Sequence, residues 1–315
     1  MNRRSFFKKS ALAGVAGAFT PLVLSSAPLR TNQKRLVRVA HITDVHLLDQ
    51  KNAEVCFARV LSEINSMPDK PDFIINTGDT VMDENNQTRE TVATRWKVWN
   101  ETVATNKLPI YSALGNHDVW YHKDKKLDEN YRADKRYGKQ WAMEMLALKN
   151  RYYSFEKNGW KFVALDSING ATGYQLDDEQ FEWLSAELKA TPASTPVLVF
   201  NHVPIISAGA MLYLTQRTPA IEAKFPFGDM HLDHQRIKNL FAQYKQVKVC
   251  LSGHVHYVDR VDYLGVTYLC NGAVSGNWWG NPISLDEFPP AYAIIDLYDD
   301  GSIDNQIVYY NHTHE

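Results

Sequence analysis

Cysteine is scarce in this 315-residue chain, which has only Cys56, Cys250 and Cys270. Three thiols make no even disulfide framework, and Cys250 and Cys270 sit in apolar, strand-like runs. Buried thiols are the expectation, with one Cys250–Cys270 bridge as the alternative. The N-terminal apolar stretch from Ala11 to Leu24 is 14 residues long, short of the roughly 20 that a membrane span needs. An excess of basic charge is also lacking. The formal charge is −2, and leaving out residues 1–27, whose only charged groups are Arg3, Arg4, Lys8 and Lys9, takes it to −6. A mildly acidic surface argues against a broad nucleic-acid footprint, so no nucleic-acid polymer is expected as a partner. Internal repeats, low-complexity linkers and composition breaks after residue 36 are absent. With 44% hydrophobic residues, the simplest organisation is one α/β domain over residues 36–315.

What is present begins with an N-terminal signature. Asn2, Arg3, Arg4, Ser5, Phe6, Phe7 and Lys8 give a paired-arginine opening, the apolar stretch follows, and Ser25, Ser26 and Ala27 offer a small-residue cleavage site. Residues 1–27 resemble a twin-arginine export signal. The expectation is a protein handed to the twin-arginine export machinery and released in the periplasm or otherwise exported; an uncleaved membrane anchor is the alternative.

The stretch Val37 to His46 starts as a β-branched strand and delivers Asp44 and His46 two residues apart, on one side if the backbone stays extended. A helix is predicted over Ala53–Ile64 with Val55, Ala58, Leu61 and Ile64 on its apolar side, then a strand over Asp72–Asn76 that ends in Thr77, Gly78 and Asp79. Strand, helix, strand is how a parallel sheet is built. Val92, Trp96, Trp99 and Val103 mark the core face of a helix. The strand Pro109–Ala113 runs into Gly115, Asn116, His117 and Asp118. Residues 119–140, rich in charge, read as a solvated insertion packed down by a short helix, Trp141–Leu148. Tyr152–Phe155 and Trp160–Asp166 read as paired strands. A helix over Asp178–Lys189 is capped by Asp177, with Gln180 reaching back in a capping box. The strand Pro196–Phe200 leads to Asn201 and His202, and residues 205–230 are a candidate lid or substrate loop. A helix over Asp233–Tyr244 precedes the strand Val247–Leu251, which ends in Gly253, His254 and His256. Four further strands close the chain.

Collected, the strand ends offer Asp44, His46, Asp79, Asn116, His202, His254 and His256. Two carboxylates, one amide oxygen and four imidazoles with no thiolate suit two borderline transition ions such as Zn, Fe or Mn. Gly78, Gly115 and Gly253 beside three of these positions let the chain turn off a strand and crowd close to an ion. The lone histidines His41, His122 and His231 read as surface or core residues, and His312 and His314 as an exposed end.

The ordered blocks Asp44-Val45-His46, Gly78-Asp79, Gly115-Asn116-His117-Asp118, His202 and Gly253-His254-Val255-His256 resemble the calcineurin-like metallophosphoesterase superfamily. The resemblance implies a four-layer α/β/β/α sandwich of two mostly mixed sheets. It further implies one metal ion on Asp44, His46 and His256, another on Asn116, His202 and His254, Asp79 bridging, and His117 assisting the leaving group with Asp118 orienting its ring. Asn201 stands where some relatives have a first histidine of a pair, which makes it a candidate substrate contact. Met82 stands where the purple acid phosphatase branch has a tyrosine ligand, against that branch. Size and motif spacing look most like the bacterial cyclic-nucleotide and glycerophosphodiester phosphodiesterase group.

Two divalent ions less the charges of Asp44, Asp79 and a bridging hydroxide leave about one positive charge, which attracts a phosphate anion; in such a site that hydroxide is the nucleophile. His117 is then the proton donor to the departing oxygen of a small phosphoester substrate. The glycine-flanked aromatic loop carrying Trp278 and Trp279 either stacks on a base or sugar or closes the sandwich edge. A metal-stabilised binding protein that holds phosphorylated ligands without turnover is the competing reading. The sequence does not fix an oligomeric state.

Overall fold

Strands covered on both faces are mostly apolar and buried along their length, and five segments of this chain fit: Phe73–Asn76, Trp160–Ala164, Val197–Phe200, and nearly all of Val247–Ser252 and Val266–Asn271 are buried. In this computed structural model, which describes residues 33–50, 52–169, 173–212, 228–280 and 289–310, they form the centres of two sheets. The first contains β1 (Arg35–Ile42), β2 (Phe73–Asn76) and β3 (Ile110–Ser112) in parallel, extended antiparallel by β12 (Ala291–Tyr298) and β13 (Ile303–Tyr309), in the order β13-β12-β1-β2-β3. The second has the order β10-β11-β9-β8-β5-β4, with β4 (Tyr153–Lys157), β5 (Trp160–Ala164), β8 (Val197–Phe200), β9 (Val247–Ser252), β10 (Val258–Tyr263) and β11 (Val266–Asn271). Its four central strands are parallel, and β4 and β10 are antiparallel edges. A small hairpin, β6 (Ile168–Asn169) with β7 (Gly173–Tyr174), stands apart.

Three apolar layers separate four structural ones. Val37, Val39, Phe73 and Ile75 of the first sheet meet Phe162, Leu198, Phe200 and Leu251 of the second. On the outer side of the first sheet, Ala40, Ile42 and Ile74 pack on α1 (Ala53–Ser66) and α2 (Arg89–Val103), including Phe57, Trp96 and Trp99. On the outer side of the second, Val163 and Val199 pack on Leu184 and Leu188 of α5 (Asp178–Ala190) and Ile237 and Phe241 of α6 (His234–Gln243). The result is the four-layer α/β/β/α arrangement expected for this chain.

Local readings diverge at a few places. The buried face of α1 is Ala53, Cys56, Phe57, Val60, Leu61 and Ile64, whereas Val55 is exposed; the helix is rotated relative to the expected face because Phe57 and Val60 bury more apolar area than Val55. Asp177 caps α5 by accepting from the Gln180 amide at 2.9 Å, but the Gln180 side chain does not reach back. It pairs with both backbone groups of Asp166 instead, because buried peptide groups beyond β5 need partners more than the helix start does. The insertion holds α3 (Lys125–Tyr131), which buries nothing, and is anchored by Trp120 and by Trp141 of α4 (Gln140–Met145). All three cysteines are free and buried: Cys250 faces Tyr268 and Cys270 faces Ser252 across β9 and β11, so no bridge forms. The export-signal reading of residues 1–27, residues 213–227 of the candidate lid, and His312 and His314 lie outside the described residues.

Candidate metal centre

The parallel strands β1, β2, β3, β8 and β9 end at one edge of the sandwich, and the motif residues follow within a few positions of each end. Strand β1 stops at Ile42, so alternation along a strand is not what aims Asp44 and His46. Both have left-handed backbone, φ 50° and 45°, and so do Asp79 (51°), His254 (72°) and His256 (59°). Each such position costs an L-residue about 1–3 kcal/mol and persists where its surroundings impose it. Here Asp44 N donates to Gly78 O at 3.0 Å, His46 N to Asp79 O at 2.9 Å, and Ser275 Oγ to Asp44 O at 2.7 Å. The glycines act in two ways. Gly78 has φ +103°, a turn that needs glycine; a Cβ on Gly115 would lie 2.0 Å from Asp79 N, and one on Gly253 2.3 Å from Asp44 Oδ2, so those two are there for close approach.

Seven side chains converge. Asp44 Oδ2 accepts from Thr43 Oγ1 at 2.6 Å, and the His254 amide is shared between Oδ2 at 3.0 Å and Oδ1 at 3.1 Å; Oδ1 also faces His256 Nε2 at 3.4 Å and His46 Nε2 at 3.9 Å. The two imidazole nitrogens are 3.1 Å apart. Asp79 Oδ1 accepts from the His117 amide at 2.8 Å, and its Oδ2 lies 3.2 Å from His202 Nε2 and 3.7 Å from His46 Nε2, between the two groups. His202 Nε2 is 3.0 Å from Asn116 Oδ1 and 3.2 Å from His254 Nδ1. Three sets of donors, Asp44–His46–His256, Asp79–His202–His254 and, overlapping both, His46–Asp79–His117, each gather within 4.8 Å.

The hydrogen bonds on the far ring nitrogens test whether these residues fit a metal. His202 Nδ1 donates to Thr77 O at 3.0 Å, His254 Nε2 to Gly228 O at 3.0 Å, and His256 Nδ1 to Gly276 O at 2.7 Å. Each ring, once its inward nitrogen is free of a proton, therefore presents a lone pair to the centre, the orientation of a metal-ligating histidine. His202 Nε2 and His254 Nδ1 lie 3.2 Å apart on the inward side of the two rings; without metal the proton that Asp79 stabilises on His202 sits there, and a divalent cation bound at that point would take the proton's place. The charges agree. Burial works against ionisation of Asp44 and Asp79, but His256 beside the first and His202 beside the second hold both carboxyls below their usual range. Burial also opposes charge on His202, yet Asp79 outweighs it and raises the imidazole to about 9, while His254, buried and next to His202, is lowered to about 4. The centre favours positive charge, and its donor set fits divalent metal.

His117 stands at the rim, its side chain 25% exposed, with Nε2 3.9 Å from Asp79 Oδ2 and its ring 4.7 Å from that of His46. Asp118 does not orient it. That carboxylate is wholly buried and accepts from the amides of Thr80, Val81 and Gly115, which ties the Gly78–Asp79 loop to the Gly115–Asn116 loop; burial and Asp79 raise it to about 6. The acid that faces His117 Nδ1 is Asp83, at 3.7 Å.

The family model described as calcineurin-like phosphoesterase matches residues 37–258. The chain belongs to this family. It is a metal-dependent phosphoesterase with His/Asp clusters able to bind metal. Among similar proteins, a 3',5'-cyclic-nucleotide phosphodiesterase of Nostoc sp. is 24% identical over 285 residues, 86% of this chain and 91% of the relative. The 3',5'-cyclic adenosine monophosphate phosphodiesterase CpdA of Escherichia coli is 23% identical over 287 residues, 86% of this chain and 89% of the relative. A dimetal phosphatase from Danio rerio shares the fold, with a TM-score of 0.60 at 13% identity over 88% of this chain and all of that one.

Two candidate substrate contacts of this phosphoesterase turn inward. Asn201 has no exposed surface; its amide donates to Val203 O and Ser167 Oγ, and its oxygen accepts from Cys250 Sγ at 3.3 Å. Trp279 is also fully buried and donates through Nε1 to the carbonyls of Val45 (2.8 Å) and His46 (3.1 Å), so it clamps the ligand loop. Trp278 is partly exposed, with its ring 4.4 Å from His256 and 6.0 Å from His46. The sequence reading missed Asp83 and Tyr174. The Tyr174 ring lies 5.1 Å from His254, and burial together with Asp79 keeps its phenol protonated. An acid four residues past Asp79 was the available signal for Asp83; Tyr174, on a two-residue strand, gave none.

Proposed function

We propose that this chain is an exported phosphodiesterase that holds two divalent transition ions, Mn, Fe or Zn, and cleaves a small diester such as a 3',5'-cyclic nucleotide. The observation that carries the two-ion reading is the convergence of Asp79 with the inward nitrogens of His202 and His254 beside a further set on Asp44, His46 and His256. Asn116, His202 and His254 would hold one ion, Asp44, His46 and His256 the other, and Asp79 Oδ2 would be shared. Metal held by these residues would lower the pKa of a bound water and offset the charge of the phosphate oxygens. The protein supplies the rest. Asp44 and Asp79 are fixed by amide donors before substrate arrives, and His117 holds a proton on Nε2 for the departing oxygen while Asp83 faces its Nδ1. The ring faces of Trp278 on the His256 side and Tyr174 on the His254 side suit a planar substituent such as a nucleobase. The phosphodiesterase names of similar proteins support the same class.

The test is a substrate panel with metal-stripped protein reloaded with Mn, Fe or Zn: cyclic nucleotide, glycerophosphodiester and aryl monoester. Turnover of cyclic nucleotide that a chelator abolishes, with little monoester hydrolysis, is expected; binding of every ligand with turnover of none would replace the enzyme by a binding protein. For export, periplasmic fractionation and N-terminal sequencing should give a mature start just after Ala27, and a cytoplasmic protein starting at Met1 would refute it.

A further inference from the structure

Outside the ligand set the structure holds a second group of chemically competent side chains. His231 Nδ1 lies 2.9 Å from Asp233 Oδ1, and His231 Nε2 lies 2.9 Å from Ser167 Oγ. The carboxylate can only accept, so Nδ1 carries the hydrogen and Nε2 accepts from the Ser167 hydroxyl. The order of donors is that of a nucleophilic Ser-His-Asp triad. Its surroundings exclude that use. Ser167 and His231 have no exposed surface, and the Ser167 oxygen already accepts from Asn201 Nδ2 and Val203 N, each at 3.3 Å.

The chain of bonds instead joins the supports of two ligands that arise from different strands. Ser167 Oγ takes hydrogen bonds from the residues on either side of His202, and the His231 amide donates to Pro204 O at 2.9 Å. At the other end, three residues before His231, the Gly228 carbonyl fixes the ring of His254. Leu232 N donates to Tyr174 O at 2.8 Å and Leu176 N to Asp233 Oδ2 at 3.2 Å, so the segment is held along its length. The other set has its own supports: Gly276 O on His256, and Ser275 and Trp279 on the Asp44–His46 loop.

We propose that Ser167, His231 and Asp233 are positioning residues for one half of the centre, the site of Asn116, His202 and His254. The inference rests on the two-ion reading and adds an asymmetry to it. Disturbing this buried relay weakens one ion and spares the other.

The experiment is a calorimetric titration of Mn2+ into metal-stripped wild-type protein, Ser167→Ala and His231→Gln, with thermal melts to confirm folding; either variant that folds suffices. Wild type should bind two ions. The variants should bind one as wild type does and the other about 10–100-fold more weakly, the range for loss of a residue that orients a ligand. Added to His202→Ala, the ligand whose flanking residues it holds, Ser167→Ala should change little more, whereas added to His46→Ala its effect should persist. Wild-type isotherms in both variants, equal losses at both ions, or the same effect in both backgrounds would overturn the inference alone. A single ion in wild type would overturn the two-ion reading beneath it.

Discussion

An imidazole works as an acid when one nitrogen faces the departing atom and the other is steadied. His117 has Nε2 3.9 Å from Asp79 Oδ2, on the side of the centre, and Nδ1 3.7 Å from Asp83 Oδ1 without a hydrogen bond, the placement the proposed acid role would use. His117→Ala should lower kcat/KM by about 10²–10⁴ on esters with poor leaving groups and far less on aryl esters that depart unaided; an equal loss on both would sink the acid role. Asp83→Asn should give the same pattern more weakly. The adjacent tryptophans separate binding from stability in the same way. Trp279 is fully buried and carries two hydrogen bonds to the ligand loop, so Trp279→Ala should cost about 3–5 kcal/mol of folding stability. Trp278→Ala should leave the urea midpoint nearly unchanged and raise KM for nucleotide substrates more than for aliphatic ones. A large stability loss with unchanged preference would make Trp278 part of the sandwich edge.

The elements that matter most are the turns after the strands rather than the strands themselves. Gly253 passes so close to the Asp44 loop that an added Cβ would meet Thr43 Oγ1 at 1.9 Å, an atom that itself holds Asp44 Oδ2. Gly253→Ala should therefore destabilise by about 1–3 kcal/mol and also weaken metal binding at the proposed Asp44, His46 and His256 site, which metal titration beside a thermal melt would show. Unchanged metal affinity would mean the loops yield without moving the carboxylate. These turns explain which parts of the molecule were legible in its sequence. Asp44, His46, Asp79, Asn116, His202, His254 and His256 could be found because each follows an apolar strand at short range, and local pattern carries that information. Their aim could not be read: it comes from left-handed backbone at five of them, held by partners such as Ser275, more than 200 residues from Asp44. The same distance hides His231, a bland lone histidine in the sequence, whose partner Ser167 lies 64 positions away. Asp118 and Asn201 were misjudged for a related reason. Their motif positions suggest chemistry, whereas backbone amides and a neighbouring carbonyl consume them.

At the scale of the whole molecule, one buried histidine fastens the two sheets beneath the centre. His41, on β1, accepts at Nδ1 from Asn271 Nδ2 of β11 at 2.9 Å, and its Nε2 donates to Thr77 Oγ1 at 3.0 Å; Asn271 in turn pairs with Asn305 of β13. The arrangement uses the neutral ring. Burial lowers its pKa to about 4, although Asp44 pulls the other way. An unfolded histidine titrates near 6.5, so between about pH 6.5 and 4 the unfolded chain binds the extra proton and the folded one does not. Folding stability must then fall as pH drops through that window, by an amount on the order of 3 kcal/mol for this group, and level off below it. His202 has the opposite sign in metal-free protein. Its pKa is raised to about 9, so its contribution is complete below pH 6.5 and is lost as pH rises toward 9. The two are separable because they act in different windows. His41→Gln keeps a donor and an acceptor and removes the titration, so in chelator the urea midpoint of the variant should decline less than that of wild type between pH 7 and 4.5, with parallel behaviour between pH 7 and 9. Equal acid slopes in the two proteins would show that His41 takes up its proton without disturbing the junction of the sheets.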